Sequence, residues 1–399
     1  MNSVLYCARQ IIVLLAVTLC GSADHVQAKM PGLIPPPPKI KVKSFILMDV
    51  DSGEILASDN PSETMHPASI TKMMTAYIAE AELSSGNIHR DDQVLISEKA
   101  WSMGGSTMFI EVGNRVSVAE LMSGIIIVSG NDSSVAIAEH IAGSEDAFAH
   151  LMNTTAQRLG MHNTHFKNAA GWPTDNHYST AHDLAILSKH IIQDYPEYYP
   201  LYSEKYYQYG VDKKTGGALA RQANRNSLLW TNPYVDGLKT GHIDETGYHL
   251  AVTAKRDERR LVAVLLGANS KKQRSEEAQQ LLTYGFRFFE NINIKKAGEA
   301  LKTVTVWKGK VKQVTVGIGN DLIVTVPRGT GKRLKASMEV EANLVAPLAK
   351  GQQVGVVKVL LEDELIQEVP LLMQQSVEQG GLFRRLWDTI MMFFNSLFL

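Results

Sequence analysis

Cysteine is nearly absent from this chain, and its two copies, Cys7 and Cys20, both lie near the N-terminus of 399 residues. If that segment is removed during export, the mature protein carries no thiol. It then has no cysteine nucleophile, no thiolate metal site and no disulfide framework. Such a composition suits an oxidising compartment.

The chain also lacks an excess of charge of either sign, since Lys and Arg number 40, Asp and Glu number 41, and the formal net charge is -1. It therefore has no long-range field that attracts nucleic acid or an anionic membrane as a whole. Hydrophobic residues make up 45% and charged residues 20%, an ordinary globular composition. We expect two domains with separate cores and no nucleic-acid partner.

The N-terminal residues have the features of a secretory signal. Arg9 precedes an apolar run, and small and polar residues follow up to Ala28, after which we expect cleavage. A buried N-terminal helix is the alternative, and N-terminal sequencing of the exported protein distinguishes the two. We therefore assign 1–28 to a signal peptide and 29–42 to a linker stiffened by a run of prolines.

Strand-like and helical patterns follow one another through the next part of the chain. Two strand-like runs at 44–50 and 54–58 flank a turn and predict a hairpin, and 70–83 has helical spacing. Further apolar helical stretches follow, and then three predicted strands at 235–239, 248–254 and 260–268. Strands at both ends with helices between them predict an α+β domain at 43–290, built on an antiparallel sheet closed by both ends.

Beyond residue 290 the pattern changes to short alternating runs separated by turn residues. We expect strands at 302–307, 312–316, 322–326, 355–361 and 365–371. Such a segment predicts a small all-β sandwich, which we place at 291–376.

The last residues, 377–399, are predicted to contain an amphipathic helix. At about 100° per residue, bulky apolar side chains lie on one side, and Arg384, Arg385 and Asp388 lie on the other. Because these charges would sit awkwardly in a membrane span, we expect the helix to lie in a membrane interface. A helix packed on the protein's own core is the alternative.

Ser69 and Lys72 form the one S-x-x-K in the sequence, where a helix should begin after Pro67. Three residues apart on a helix, their side chains share a face, so the amine can reach the hydroxyl. A serine needs a neighbouring base to act as a nucleophile, and lysine serves only when neutral, which burial and a second cation favour. On this motif alone, a capping serine beside a solvated lysine is the favoured interpretation.

Two further motifs, S-x-N and K-T-G, complete a serine acyl-transfer site when they follow in that order. S-x-N occurs at 58–60, 85–87 and 129–131, and K-T-G at 214–216 and 239–241. The first S-x-N precedes Ser69, and the second lies about 24 Å along the helix, whereas the third interrupts two apolar helices. The first K-T-G lies in a polar, glycine-rich stretch, whereas the second ends a predicted strand. We therefore choose Ser129, Asn131, Lys239, Thr240 and Gly241.

Around these motifs the sequence resembles the low-molecular-mass penicillin-binding proteins, the serine-type D-alanyl-D-alanine carboxypeptidases of the penicillin-binding protein 5/6 type. The similar stretches are 67–74, 129–132, 168–184, 224–226, 236–242 and 285–290. The resemblance runs from about residue 43 to the C-terminus. It implies a serine β-lactamase/DD-peptidase-like catalytic domain, a small β-sandwich domain and a C-terminal membrane-anchoring helix. It also implies an exported, penicillin-sensitive enzyme on the periplasmic face of the bacterial inner membrane.

The resemblance implies the chemistry at three of these residues. Ser69 attacks the carbonyl of the D-Ala-D-Ala bond in a peptidoglycan stem peptide, Lys72 takes its proton, and an acyl-enzyme forms. Ser129 relays a proton to the leaving D-alanine, and water then releases the shortened peptide. A β-lactam acylates Ser69 by the same route.

The resemblance also implies how substrate is held. Asn131 binds the stem-peptide amide, and Lys239 supplies positive potential for the terminal carboxylate. The carboxylate is further bound or oriented by Thr240, His242 and Arg225, next to Gly241. Backbone amides of Ser69 and His242 are expected to form the oxyanion hole.

Other functions are compatible with the same three motifs. A β-lactamase shares them, but class A enzymes add a glutamate in an E-x-x-L-N context that we do not find between Ser129 and Lys239. A transpeptidase or endopeptidase of the same fold and a non-enzymatic β-lactam sensor are further alternatives. His162 and His165 lack a third ligand, so we expect no metal and no cofactor. We expect a monomer or a weak homodimer.

Overall fold

The computed structural model describes residues 34–210, 217 and 220–397. The predicted signal peptide, 1–28, and the K-T-G at 214–216 lie outside the described residues. We refer to 34–288 as the α+β region and to 289–381 as the β region.

The α+β region alternates short strands with helices. Its strands are β1 Ser44–Asp49, β2 Ile55–Asp59, β3 Gln93–Leu95, β4 Arg115–Ser117, β5 Tyr206–Tyr207, β6 Gln222–Ala223, β7 Val235–Ile243, β8 Gly247–Arg256 and β9 Arg259–Ala268. Its α-helices are α1 Lys72–Ser85, α2 Glu98–Trp101, α3 Val118–Ile126, α4 Asn131–Ala142, α5 Glu145–Arg158, α6 Ala181–Asp194, α7 Leu228–Thr231 and α8 Lys271–Phe288. Short 3-10 helices lie at Ala68–Thr71 and Tyr199–Ser203. The predicted hairpins β1–β2 and β8–β9 are both confirmed.

One five-stranded antiparallel sheet, in the order β2-β1-β9-β8-β7, forms the centre of this region. Strand β1 pairs with β9, so the predicted closure of the sheet by both ends is confirmed. Because side chains alternate along a strand, Ile46 and Val264 pack against α1 and α3 to α6, whereas Phe45 and Leu265 pack on the side of α8. The sheet is therefore buried on both faces, which explains its nearly continuous hydrophobic strands.

Helix α1 lies inside the helical layer. Met73, Met74 and Tyr77 are all at most 2% exposed, and the helix has little amphipathic character because it is surrounded. It continues from the 3-10 turn at Ala68–Thr71 and ends at Gly86, whose φ of 76° is the left-handed conformation that glycine adopts readily. The catalytic motif predicted at the start of this helix is therefore anchored in the core.

The β region is all-β, as predicted. Its strands are β10 Phe289–Lys295, β11 Lys302–Trp307, β12 Gln313–Gly317, β13 Leu322–Pro327, β14 Leu334–Val340, β15 Leu344–Val345, β16 Gln353–Leu361 and β17 Glu364–Met373, with a 3-10 turn at Gly331–Arg333. Strands β10 and β13 pair with each other, and the others form a six-stranded sheet in the order β14-β16-β17-β12-β11-β15. The five predicted strands are confirmed, whereas β10, β14 and β15 were missed.

A buried hydrogen-bond network joins the two regions. Arg259 Nε donates to Asp49 Oδ2 at 2.7 Å and to Asn291 Oδ1 at 3.1 Å, and Asn291 Nδ2 donates to Asp49 Oδ1. Thr325 of β13 donates to the same Asn291 oxygen, and its hydroxyl lies 2.6 Å from that of Ser52 in the β1–β2 turn. Because Asp49 is fully buried, this ion pair is a fixed part of the junction.

The terminal helix α9, Leu382–Leu397, turns its apolar side outward. Phe383 is 94% and Trp387 is 65% exposed. On the polar side, Asp388 accepts the backbone N–H of Lys308 at 2.6 Å. The helix therefore attaches to the β region by its polar side and leaves its apolar side uncovered by other described residues. Across the part of the chain that the structure describes, no helix has the length and hydropathy of a membrane span.

Candidate active site

Ser69 lies in the 3-10 turn at Ala68–Thr71 that leads into α1. Ala68, immediately before it, has a φ of 49°, a left-handed conformation that costs a non-glycine residue about 1–2 kcal/mol. The N–H of Ala68 donates to Nδ1 of His66 at 3.1 Å. The turn is also packed from outside, because a Cβ on Gly171 would lie only 1.9 Å from the Ala68 carbonyl oxygen. Ser69 is thus held on a strained backbone that its neighbours fix in place.

Lys72 is 1% exposed and is aimed at Ser69. Its Nζ donates to Ser69 Oγ at 3.0 Å, to Asn131 Oδ1 at 2.7 Å and to the carbonyl of Ala170 at 2.6 Å. Burial, assisted by the charge of Arg225, lowers the pKa of Lys72 to about 7, although Asp132 opposes the shift. A lysine with such a pKa can lose its proton near neutral pH and accept one from the serine hydroxyl.

The second motif interrupts the helical layer between α3 and α4. Asn131 is the first residue of α4, and its amide bridges Lys72 and the carbonyl of Gly104, to which Nδ2 donates at 2.7 Å. Ser129 has a φ of 64° and is 3% exposed. Its hydroxyl has no hydrogen-bond partner among the described residues. A buried hydroxyl without a partner is a group that a bound substrate can satisfy.

Asp132, next to Asn131, fixes a neighbouring loop. Its carboxylate accepts backbone N–H groups of Met108, Phe109 and Ile110, and also that of Ser133. The loop that passes Gly104 is therefore tied to the start of α4. Asp132 lies in the conspicuous stretch 129–132, but its partners Met108, Phe109 and Ile110 lie more than twenty residues earlier in the chain.

The third motif lies on β7, directly against the turn that carries Ser69. A Cβ on Gly241 would come within 2.9 Å of the Pro67 carbonyl oxygen and 3.2 Å of Ala68 Cβ, so only glycine allows this approach. Lys239 and Thr240 precede it and are 4% and 7% exposed. Lys239 Nζ donates to the carbonyl of Thr240 at 3.3 Å. The chosen K-T-G is thus beside Ser69.

Two arginines add positive charge next to the K-T-G motif. Arg225 donates to the hydroxyl of Ser106, whose carbonyl accepts the N–H of Asn131. Arg274 is 4% exposed and donates to the carbonyls of Gly241, His249 and Arg225. Sequence analysis missed Arg274, since an arginine inside the amphipathic helix α8 resembles any surface base.

Positive charge concentrated in one place lowers the proton affinity of the site. Burial, together with the charges of Lys72, Arg225 and Arg274, lowers the pKa of Lys239 well below its ordinary value. A carboxylate entering the site would reverse that effect, because an opposite charge favours the protonated amine. The arrangement therefore suits a substrate that carries a carboxylate near the bond under attack.

The remaining predicted residue, His242, lies near the surface at the end of β7. Its ring stacks on Tyr248 with centroids 3.9 Å apart, and Nε2 is 3.7 Å from Asp244 Oδ1. The structure thus links Ser69, Lys72 and Asn131 by direct hydrogen bonds. The K-T-G strand, which includes His242, packs with its backbone against the turn that carries Ser69.

Three groups close to Ser69 were missed by sequence analysis. The carbonyl of Ala170 accepts from Lys72, and His66 and His177 flank the turn that carries Ser69. A carbonyl carries no sequence signal, and a histidine is usually a surface or core residue. Instead, the exposed His162 contacts Gln157, and the half-buried His165 contacts the Asn176 carbonyl.

Comparison with protein families matches two parts of the chain. Residues 32–270 match the family described as D-alanyl-D-alanine carboxypeptidase. Residues 289–379 match the penicillin-binding protein 5, C-terminal domain. The first match covers more than half of the chain, and the second coincides with the β region.

Individual proteins show the same similarity over nearly the whole chain. D-alanyl-D-alanine carboxypeptidase DacC of Escherichia coli strain K12 is 41% identical over 369 residues, 90% of each chain. DacA of the same organism is 39% identical over 385 residues, 94% of this chain and 93% of its own. The crystal structure of penicillin binding protein 5 from Haemophilus influenzae superposes with a TM-score of 0.80 at 40% identity, covering 86% of this chain and 100% of that one.

Proposed function

Because this chain belongs to the serine D-alanyl-D-alanine carboxypeptidase family of peptidoglycan metabolism, we propose that Ser69 is its nucleophile and Lys72 its general base. Neutral Lys72 removes the proton of Ser69 Oγ as that oxygen attacks the carbonyl carbon of the terminal D-Ala-D-Ala bond. The carbon–nitrogen bond then breaks, an ester forms on Ser69, and the leaving D-alanine nitrogen takes up a proton. Water hydrolyses the ester in a second step.

The contact between Lys72 Nζ and Ser69 Oγ, at 3.0 Å, carries this proposal. It is a nucleophile–base hydrogen bond, and the base has a pKa of about 7 because it is buried. Asn131 and the Ala170 carbonyl orient the base through its other hydrogen atoms. A capping serine beside a solvated lysine does not fit a lysine that is 1% exposed.

Ser129 and the K-T-G strand supply the other roles. Ser129, whose buried hydroxyl has no partner among the described residues, relays the proton to the leaving D-alanine, and Asn131 accepts a hydrogen bond from the stem peptide with its remaining lone pair. Lys239, with Arg225, provides the positive potential for the substrate carboxylate. Thr240 and His242 lie on the same strand and orient that carboxylate, with backbone amides of Ser69 and His242 as the oxyanion hole.

Replacement of the nucleophile tests the proposal. Ser69→Ala should abolish release of free D-alanine from a diacetyl-Lys-D-Ala-D-Ala peptide and covalent labelling by a fluorescent penicillin. Ser129→Ala, by contrast, should slow both reactions and leave the labelled position at Ser69. Labelling of the Ser69→Ala protein at any other residue would refute the assignment.

We also propose that α9 attaches the enzyme to the periplasmic face of the inner membrane after export. The exposed apolar side of the helix and its attachment through Asp388 support an orientation with the aromatic side chains in the lipid interface. Domain limits of 43–290, 291–376 and 377–399, a signal peptide at 1–28, and a monomer or weak homodimer remain predictions.

Truncation tests this second proposal. A variant ending at Gly381 should lose binding to lipid vesicles and keep the carboxypeptidase rate of the longer chain. A full-length variant with Phe383→Lys and Trp387→Lys provides the matched control, since it keeps the helix and removes two exposed apolar groups. Equal vesicle binding by all three proteins would contradict the attachment.

A further inference from the structure

His66 lies two residues before the turn that carries Ser69, and its ring is built into that turn. Nδ1 accepts the N–H of Ala68, whose φ of 49° is the strained conformation next to Ser69. Building on the proposed acyl-transfer function, we propose that His66 is a positioning residue that fixes the Ala68–Ser69 backbone for acylation. It acts through this one hydrogen bond and touches no reacting atom.

The hydrogen bond determines the tautomer of the ring. Because Nδ1 accepts, the single proton of neutral His66 lies on Nε2. Nε2 is buried and has no hydrogen-bond partner within the described residues. One face of the ring stacks on His177 with centroids 4.8 Å apart and planes at 25°. The ring is therefore held by stacking and by its bond to Ala68, and the backbone of Trp172 lies close to it.

His177 holds the other end of the same turn. Its Nδ1 accepts the backbone N–H of Lys167 at 3.2 Å, so Nε2 carries the proton and donates to Thr71 Oγ1 at 2.8 Å. The stacked pair thus reaches Ala68 on one side of Ser69 and Thr71 on the other. Two imidazoles stacked in fixed tautomers form a support under the nucleophile.

The loop around Gly171 connects this support to the base. Gly171 packs against the carbonyl of Ala68, as its hypothetical Cβ contact of 1.9 Å shows, and the preceding Ala170 carbonyl accepts from Lys72. A shift of the Ala68 peptide therefore disturbs both the backbone of Ser69 and an acceptor of Lys72. Such a shift should lower the rate of acylation more than it weakens substrate binding.

Protonation of His66 should break the support. A second proton would place an N–H on Nδ1, pointing at the N–H of Ala68. The titratable groups that face the ring are His177, His249 of β8 and Glu245 in the β7–β8 turn. Burial lowers the pKa of His66 below its ordinary value, and the backbone carbonyl of Trp172 and then the charge of Glu245 oppose the shift. The ring is therefore neutral at pH 7 and becomes charged only in acid.

Two substitutions separate positioning from packing. His66→Asn keeps an acceptor, because an Asn side chain can accept the N–H two residues later, whereas His66→Leu fills space without one. Acylation by penicillin at pH 8 should fall about tenfold to a hundredfold in His66→Leu, with little change in KM for the peptide. In His66→Asn it should stay within about threefold of the wild type.

The pH profile provides a readout that a packing role would not change. The acylation rate of the wild type should fall with a slope of one in log units as Lys72 protonates, and with a slope that approaches two over the lower pH range in which His66 protonates. His66→Asn should keep the slope of one throughout. Equal rates for His66→Leu and wild type, or a slope of two in His66→Asn, would overturn the proposal.

These outcomes are distinguishable from failure of the proposed function. If wild-type Ser69 is not acylated, the proposed function is wrong. If it is acylated and the two variants do not differ, only the role of His66 is wrong. If His66→Leu does not fold, the comparison of the wild-type and His66→Asn slopes still decides.

Discussion

Several ionisable side chains are buried in the α+β region, whereas none of those described in the β region is. Lys72, Lys239 and Glu80 are at most 4% exposed. In the β region, by contrast, the Lys335–Asp363 ion pair has side chains 69% and 96% exposed. Burial shifts the pKa of an ionisable group and lowers the stability of the folded state, whereas an exposed ion pair has little effect on either quantity. In the α+β region, burial of ionisable groups favours reactivity at the expense of stability. In the β region, the exposed ion pairs have little effect on either.

Replacing one buried lysine should have the largest effect of any change in this comparison. Lys239→Met should lower acylation of Ser69 by penicillin about a hundredfold to a thousandfold, since it removes the positive charge that faces the carboxylate. Stopped-flow labelling measures the rate. Lys214→Met, in the other K-T-G, serves as control, and equal losses in both variants would mean that the wrong motif was chosen.

The junction offers a test of buried charge away from the site. Arg259→Met leaves the fully buried Asp49 without its ion pair, so the free energy of unfolding should fall by about 3 kcal/mol. Acylation in the folded variant should stay near the wild-type rate, because the partners of Arg259 are not site residues. Urea unfolding measures the first quantity. An unchanged midpoint would show that the junction carries no such energy.

Glu80 gives a smaller and pH-dependent effect. Burial raises the pKa of Glu80 to about 8, and Tyr202 donates to Oε1 at 2.9 Å while Oε2 has no partner in the described residues. The folded state thus holds a proton that the unfolded state releases near pH 4.5. The resulting stability is complete below that pH and is lost as the pH rises through about 8.

Glu80→Gln should therefore remove this dependence. The variant should be similar to the wild type at pH 4.5 and clearly more stable at pH 8.5 in urea titrations. If the wild type loses no stability relative to Glu80→Gln across this range, the buried carboxyl is not protonated as described.

Lys335→Met in the β region should have the smallest effect. Its salt bridge to Asp363 is exposed, so the free energy of unfolding should change by less than about 0.5 kcal/mol. The acylation rate should be unchanged. A loss as large as that of Arg259→Met would remove the distinction between the two regions.

Sequence analysis predicted best where the signal is local. The hairpin β1–β2 and the hairpin β8–β9 follow from alternation and turn residues, and both are present. Strand β14, Leu334–Val340, was missed because it is an edge strand with mostly exposed side chains and no clear alternation. Edge strands take their structure from a neighbour, which a short window does not contain.

The site shows the same limit. S-x-x-K spacing predicted that Lys72 reaches Ser69, because three residues on a helix share a face. It could not predict the Ala170 carbonyl, 98 residues further along the chain, which accepts from the same amine. His66 and His177 are likewise brought together only by the fold. Long-range packing decides these contacts, and sequence periodicity does not encode it.

If burial makes Lys72 a neutral base near pH 7, the rate of acylation must follow the titration of Lys72. The direct test is the second-order rate constant for acylation of Ser69 by penicillin, measured from pH 5 to 8 on the wild-type enzyme. We expect a rate that falls as the pH drops through about 7. A rate that is independent of pH over this range, or one still rising tenfold per unit at pH 8, would contradict it.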